Sequence, residues 1–208
     1  MEPVTERKFE IHPLLRERWS PRAFAPRAVE REKLVKLFEA ARWAPSSNNA
    51  QPWSFVVATR ENTAEHLRLV SVLAAGNAQW AHQAPVLVLS VAKLDFDHKG
   101  RPNRHAFYDL GQAVANLTVE ATALGLVVHQ MAGFDVEQAR TAFGLPAGQE
   151  PVTVFAIGYR GDPETLPEPF RARERAPRTR KPLEQMVFSG TWGRPHPMAM
   201  APKEASEV

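Results

Sequence analysis

The sequence contains no cysteine among its 208 residues. This absence excludes disulfide bonds, thiolate nucleophiles and zinc sites built from cysteine. Any redox chemistry that the protein performs must therefore come from a bound cofactor.

Several common functional motifs are missing as well. We find no G-x-G-x-x-G, G-x-x-x-x-G-K-[ST], G-x-S-x-G or H-E-x-x-H. The motif basis for a Rossmann dinucleotide domain, a P-loop NTPase, an α/β-hydrolase and a zincin is therefore absent. No apolar run approaches the roughly 18 residues of a membrane span, and the first ten residues contain no apolar signal region. We expect a cytoplasmic protein that has no membrane partner.

The composition is that of an ordinary globular protein, with 44% hydrophobic and 24% charged residues. The length suits one domain over residues 1–208, with a core of about 12–192 and a flexible tail at 195–208. The net charge is only +3, and its excess is concentrated near the end of the chain, at Arg171, Arg173, Arg175, Arg178, Arg180 and Lys181. This clustering favours a local anion site over a nucleic-acid surface.

Apolar periodicity predicts alternating helices and strands. We expect short helices from His12 and over 136–143, longer helices over 29–43, 61–75 and 105–124, and strands over 53–59, 85–92, 126–132 and 151–159. Asp135 and Gln138 resemble a capping box at the start of the short helix over 136–143. Residues 161–182 lack periodicity and read as a surface crossing or a linker.

The most informative stretch, APSSNNAQPWSF at residues 44–55, concentrates hydroxyl and amide side chains between two prolines. Such side chains prefer turns and caps to helix interiors, and several of them together can line a polar ligand. A turn that only terminates the preceding helix explains the same residues, and composition leaves both interpretations open.

This stretch resembles the central motif of the FMN-dependent nitroreductase family. Three further stretches resemble the family in the same order: RWSPR at 18–22, MAGFD at 131–135 and RTRKPLE at 178–184. The four motifs together span nearly the whole chain, from residue 18 to residue 184. The resemblance implies an α+β fold, with a central, mostly antiparallel or mixed sheet flanked by helices, and an intertwined homodimer. The small residues Gly111, Ala113 and Ala115 would allow close helix approach.

The resemblance also implies which residues hold a tightly bound FMN. They are Arg18, Trp19, Ser20, Arg22, Pro45, Ser46, Ser47, Asn49, Gln51, Asn77, His129, Met131, Ala132, Gly133, Arg178 and Arg180. Two guanidiniums that flank a hydroxyl suit a phosphate on chemical grounds, because arginine donates forked hydrogen bonds. The spacing of Arg18, Ser20 and Arg22 equally fits a solvated helix end.

Two polar residues and one charged loop have competing explanations. Asn77 is a flavin ligand by resemblance, but after Gly76 it also reads as a turn residue. His129 titrates in the range of a general acid, yet a single histidine at a strand end is more often structural, and family members frequently have tryptophan near this point. Asp95, Asp97 and His98 lie in a charged loop that we interpret as solvated rather than as a metal site.

By resemblance, NADH or NADPH gives a hydride to flavin N5 and leaves, and a nitroaromatic, a quinone or a related small acceptor then occupies the same pocket. This ping-pong scheme needs no catalytic side chain. Two alternatives remain open: a flavin enzyme of another reaction type, such as dehalogenation or flavin fragmentation, and a non-catalytic flavin-binding or sensing protein.

Overall fold

A computed structural model describes residues 10–97 and 100–200. His98 and residues 201–208 of the predicted tail lie outside this range. The chain divides into two compact units. One unit comprises residues 12–174, and the other comprises the two ends of the chain, of which residues 10–11 and 175–200 are described.

The described residues form seven α-helices and four strands. The helices are α1 (Pro13–Glu17), α2 (Arg31–Arg42), α3 (Thr63–Ser71), α4 (Ala75–Ala81), α5 (Ala106–Ala123), α6 (Val136–Ala142) and α7 (Phe170–Arg175). The strands are β1 (Trp53–Thr59), β2 (Val86–Lys93), β3 (Val127–Met131) and β4 (Gln149–Gly158).

Most predicted elements are present, and the extent of one predicted helix was wrong. The helix expected over 61–75 ends at Ser71, and α4 begins after a break at Val72, Leu73 and Ala74. Ala74 donates its N–H to the Gly133 carbonyl at 3.0 Å, so a long-range contact replaces the helical bond. The region 161–182 contains α7, because buried Phe170 and Glu174 give this short helix an inward side that its composition did not indicate.

The four strands form one antiparallel sheet in the order β1-β2-β4-β3. The predicted α+β class and antiparallel sheet are confirmed. β2 lies inside the sheet because its apolar sequence suits burial on both faces, and seven of its eight residues are buried. β1 and β3 are the two edge strands.

Alternate residues of the strands enter two cores on opposite faces of the sheet. On one face, Phe155 and Ile157 of β4 pack with apolar residues of α2 and α5. On the other face, Val154 and Ala156 pack with Leu69 of α3 and with α4. The helices on the two faces therefore determine which side chains lie around the two edges of the sheet.

Residues 23–25 lie directly against the chain that leaves β4. Gly161 donates its N–H to the Ala23 carbonyl and Ala25 donates to the Tyr159 carbonyl, both at 2.9 Å. A Cβ on Gly161 would lie 2.5 Å from the carbonyl carbon of Phe24, so only glycine allows this approach. The contact holds residues 18–22, just upstream, near the end of β4.

The second unit contains two 3-10 turns, Leu183–Gln185 and Pro197–Ala199. Phe188 forms an isolated bridge with Pro195, and its ring lies 5.0 Å from that of Trp192. Across both units, none of the described helices combines the length and apolar character that a membrane span requires.

Candidate functional site

Residues 18–22, here called the arginine segment, follow directly after α1. Nη1 of Arg18 donates a hydrogen bond to Oγ of Ser20 at 3.1 Å. The guanidinium of Arg160 lies 4.6 Å from the centre of the Trp19 ring. The predicted guanidinium and hydroxyl are therefore neighbours, and the segment packs against the protein instead of ending as a free helix terminus.

His129 on β3 binds the backbone of the arginine segment. Its Nδ1 lies 3.0 Å from the carbonyl oxygen of Pro21, and its ring centre lies 4.5 Å from that of Trp80. Burial, together with the charge of Arg22, lowers the pKa of His129 to about 4, although nearby carbonyls oppose the shift. The ring is therefore neutral at pH 7, and Nδ1 carries the proton that Pro21 accepts.

The side chain of Arg22 is partly buried beside this histidine. Its guanidinium lies 6.0 Å from the Trp80 ring. Burial lowers the pKa of Arg22, Glu174 acts in the opposite direction, and the charge of Arg173 adds to the lowering. A partly desolvated guanidinium is stabilised by an anion, which is the chemistry expected at a phosphate site.

Asn77 and Gly133 are in direct contact. Nδ2 of Asn77 donates to the Gly133 carbonyl at 2.9 Å. The interpretation of Asn77 as a turn residue was wrong, because it lies inside α4, whose Trp80 anchors the helix in the core. A Cβ at Gly133 would come within 2.9 Å of the asparagine amide, so glycine keeps the two residues close.

The residues that follow β3 leave backbone accessible at the sheet edge. Met131 is buried, and its carbonyl accepts a hydrogen bond from Oγ1 of Thr153 at 2.8 Å. Ala132 and Gly133 are exposed. The motif 131–135 thus combines one buried anchor with two exposed residues.

The polar loop, residues 46–51, has an unusual backbone. Asn48, Asn49 and Gln51 have φ of 53°, 53° and 48°, in the left-handed region that residues other than glycine rarely occupy. Such strain is concentrated at ligand sites in proteins and persists only where surrounding contacts impose it. The loop is therefore more than a helix-terminating turn.

Two hydrogen bonds impose the shape of the polar loop. The buried carboxylate of Asp109 on α5 accepts the N–H of Ser47 at 3.0 Å. Oγ of Ser46 accepts the N–H of Gln51 at 3.0 Å. Pro45, Asn49 and Gln51 remain exposed, while Ser46 and Ser47 are half-buried. The loop is fixed to the protein and still presents polar groups outward.

The two groups of predicted ligands are not brought together within one chain. The polar loop precedes edge strand β1 and is bound to α5, on the face that α2 and α5 cover. The arginine segment is bound to His129 on the other edge strand, beside Trp80 in the core of the opposite face. Three strand spacings of about 4.8 Å separate the edges, or about 14 Å.

The two arginines of the C-terminal motif belong to the second unit. Arg180 is exposed, and its Nη1 donates to the carbonyl of Thr179 at 2.7 Å. Arg178 is half-buried. Their predicted contact with a phosphate stays a prediction.

The charged loop after β2 offers no metal centre among the residues that the structure describes. There, no three histidine, aspartate or glutamate side chains converge into a possible site. Asp97 forms an ion pair with Lys93, and Asp95 bridges to Pro102. His98 lies outside the described residues.

Comparison with known proteins identifies the family. The model of the nitroreductase family matches residues 15–72 and 63–159, more than half of the chain. The chain belongs to the nitroreductase family. The predicted family is confirmed, and with it the assignment of the chain as an oxidoreductase.

Individual relatives agree with this nitroreductase assignment. A crystal structure described as an oxidoreductase containing FMN is 32% identical, with a TM-score of 0.85, and the match covers 91% of this chain and 96% of that one. A nitroreductase family protein of Clostridium difficile 630 is 27% identical, with a TM-score of 0.66 and coverage of 86% and 96%. An NADH dehydrogenase of Thermus thermophilus is 29% identical, covering 82% of this chain and 91% of its own length.

Three residues of this nitroreductase site were missed from sequence: Trp80, Asp109 and Glu174. Asp109 left a signal, because it is a carboxylate next to Leu110 on the apolar stripe of an amphipathic helix. Trp80 also left a signal, because it lies at helical spacing from other apolar residues that are buried. Glu174 left no usable signal, since its partners Arg22 and Ala23 are more than 150 residues away.

Proposed function

We propose that this nitroreductase is an FMN-dependent NAD(P)H oxidoreductase whose two cofactor sites are each shared between two copies of the chain. Electrons would pass from NADH or NADPH to a small acceptor such as a nitroaromatic or a quinone. The proposal is supported by family membership and by the likeness to an FMN-containing oxidoreductase at 32% identity. The observation that carries it is the partly buried Arg22 beside a neutral His129.

The arginine segment fits the phosphate of FMN. A phosphate needs charge-assisted donors, and Arg18, Ser20 and Arg22 supply two guanidiniums and a hydroxyl. His129 is neutral at pH 7, so its hydrogen bond fixes the backbone of the segment without adding a positive charge. We assign the gripping of the phosphate to these side chains, together with Arg178 and Arg180 of the C-terminal motif.

The polar loop and the end of β3 fit a flat heterocycle with carbonyl and ring-nitrogen acceptors. Asn49 and Gln51 present exposed amides on a strained backbone, and Ser46 and Ser47 supply hydroxyls. At the other edge, Asn77 and the exposed peptide groups of Ala132 and Gly133 supply further donors. We assign these groups to the flavin ring.

We infer that a second copy of the chain completes each site. The two ligand groups lie at opposite edges and on opposite faces of one sheet, with the sheet and its cores between them. The exposed side of α5 carries Phe107 and Tyr108, which are 50% and 69% exposed, beside the small residues Gly111 and Ala115. An apolar stripe with small residues is suited to close packing against a partner.

When bound, FMN supplies the redox chemistry by accepting two electrons from a nicotinamide and passing them to the acceptor. The residues of the chain bind the cofactor, orient it and shape the space above it. The neutral state of His129 makes it a poor proton donor at pH 7. We therefore assign it a role in support of the arginine segment and no role in proton transfer.

The first experiment identifies the cofactor and the activity. Flavin released from purified protein by denaturation is separated by chromatography, and we expect FMN. Turnover is then measured with NADH and NADPH against nitroaromatic and quinone acceptors. FAD, or no flavin after reconstitution, contradicts the cofactor assignment. Flavin binding without turnover favours a sensing protein.

The second experiment tests the shared site through mixed dimers. Arg22→Ala removes a phosphate ligand, and Asn49→Ala removes a polar-loop amide. In a dimer with shared sites, one chain of each kind leaves one of the two sites intact, so mixing restores activity. If each site belonged to a single chain, both sites of the mixed dimer would stay defective. A flavin-loaded monomer in light scattering would also contradict the proposal.

A further inference from the structure

The carboxylate of Glu174, near the end of α7, is buried and faces the arginine segment. Only 4% of the residue is exposed. Oε1 and Oε2 accept the N–H of Arg22 at 3.1 and 3.0 Å, and Oε1 also lies 3.4 Å from the N–H of Ala23. One carboxylate thus binds two consecutive peptide groups from the opposite end of the chain.

This contact fixes the direction of the arginine segment. Two peptide N–H groups that point at one carboxylate leave the backbone at Arg22 little freedom to rotate. Pro21 is held at the same time, because its carbonyl accepts the hydrogen bond from His129. The side chain of Arg22 therefore leaves a backbone that is bound on both sides, and its direction is set before any ligand arrives.

The charge of Glu174 also acts on Arg22. It raises the pKa of the guanidinium and so opposes the effect of burial. The carboxylate is engaged by peptide N–H groups, which leaves the guanidinium available to an external anion. A buried carboxylate in this place costs desolvation energy, which hydrogen bonds from two peptide groups offset.

We propose that Glu174 is a positioning residue for the phosphate of the flavin, acting through the backbone of Arg22 and Ala23. This inference rests on the proposed function and adds to it a residue outside the family motifs. Glu174 is four residues before Arg178 in the sequence, so the C-terminal motif begins just after this contact. The consequence is a preference for a phosphorylated flavin over one without phosphate.

The test compares FMN with riboflavin, which has the same ring and no phosphate. Apo-protein is titrated with each flavin. The dissociation constant of riboflavin divided by that of FMN measures the contribution of the phosphate. Glu174→Gln should lower this ratio about tenfold, because an amide offers one acceptor where the carboxylate offers two and places its own N–H against a peptide N–H. Riboflavin affinity should change little.

Two further variants give the comparison its controls. Glu164→Gln removes a carboxylate that is half-exposed and paired with Arg171, and it should leave the ratio unchanged. Asp109→Ala releases the polar loop and should weaken both flavins alike, so the ratio again stays constant. The thermal stability of each apo-protein separates loss of fold from loss of positioning.

The outcomes distinguish this inference from the function on which it rests. If the wild type binds neither flavin, the proposed function fails. If the wild type prefers FMN and Glu174→Gln keeps that preference, or weakens both flavins equally, the positioning role is wrong. Should Glu174→Gln fail to fold, the same ratio is read in Glu174→Asp, whose shorter carboxylate keeps its charge and reaches less far; an unchanged ratio there overturns the inference.

Discussion

The polar loop and the arginine segment both gather hydrogen-bonding side chains, but different parts of the chain hold them. The loop combines the Ser46 to Gln51 bond and left-handed backbone at three positions with one remote support, the carboxylate of Asp109 on α5. Within the arginine segment, Arg18 donates a hydrogen bond to Ser20. The segment's other supports, His129 and Glu174, lie more than 100 residues away.

This difference predicts how each region responds to change. A strained loop with a local bond is sensitive to substitutions inside it and, apart from those at Asp109, tolerant of distant ones. A segment held by remote side chains depends on the packing of the whole unit. The following variants test the contrast, from the largest expected effect to the smallest.

Trp80→Ala should give the largest loss, about 3–5 kcal/mol of unfolding free energy, because it empties a fully buried site next to His129 and Phe24. Urea denaturation followed by circular dichroism measures it. Trp43→Ala is the matched control, since Trp43 is 73% exposed and its loss should change stability by at most about 0.5 kcal/mol. Equal losses of unfolding free energy in the two variants would mean that Trp80 does not anchor the core beside the arginine segment.

His129 should make stability depend on pH in a defined window. Its pKa is about 4 in the folded protein, below the ordinary 6.5, so the unfolded chain binds the proton more readily. The stabilising contribution is therefore complete above pH 6.5 and is lost as pH falls toward 4. The difference between the pKa of 6.5 in the unfolded chain and about 4 in the folded protein corresponds to about 3 kcal/mol of unfolding free energy.

The measurement compares the unfolding free energy of wild type and His129→Gln from pH 7 to pH 4. Other groups titrate in this range, including His66, whose pKa burial also lowers. The difference between the two proteins isolates His129. Parallel curves would contradict the assignment of a buried, neutral imidazole.

Arg180→Ala should weaken FMN binding about ten- to a hundredfold while leaving folding almost unchanged. A hydrogen bond to a charged group contributes about 1.5–3 kcal/mol, and Arg180 is exposed in the described structure. Titration of apo-protein with FMN measures the loss. Arg173 is an unsuitable control because its charge acts on Arg22, so exposed Arg68→Ala takes that place. Equal affinities in both variants would return the basic cluster to a general anion surface.

The sequence predicted those features that depend on neighbouring residues. Apolar periodicity predicted the long helices and all four strands, and Asp135 caps α6 through the N–H of Gln138 as expected. The break between α3 and α4 was not predictable, because a contact with Gly133 decides it. The same holds for Glu174, whose partners no local pattern connects to it.

Asn48→Ala should have the smallest effect and tests the loop alone. Asn48 has φ of 53°, a conformation that asparagine tolerates and that costs a residue with an ordinary Cβ about 1–2 kcal/mol. The side chain is exposed and is not among the proposed ligands, so the substitution changes backbone preference more than contacts. We expect Asn48→Ala to be about 1 kcal/mol less stable than Asn48→Gly, because glycine adopts positive φ without steric cost. Urea denaturation of the two variants gives the difference, and FMN titration should show weaker binding for alanine than for glycine. If alanine matched glycine in both measurements, the left-handed backbone would not constrain the loop, and the contrast with the arginine segment would lose its physical basis.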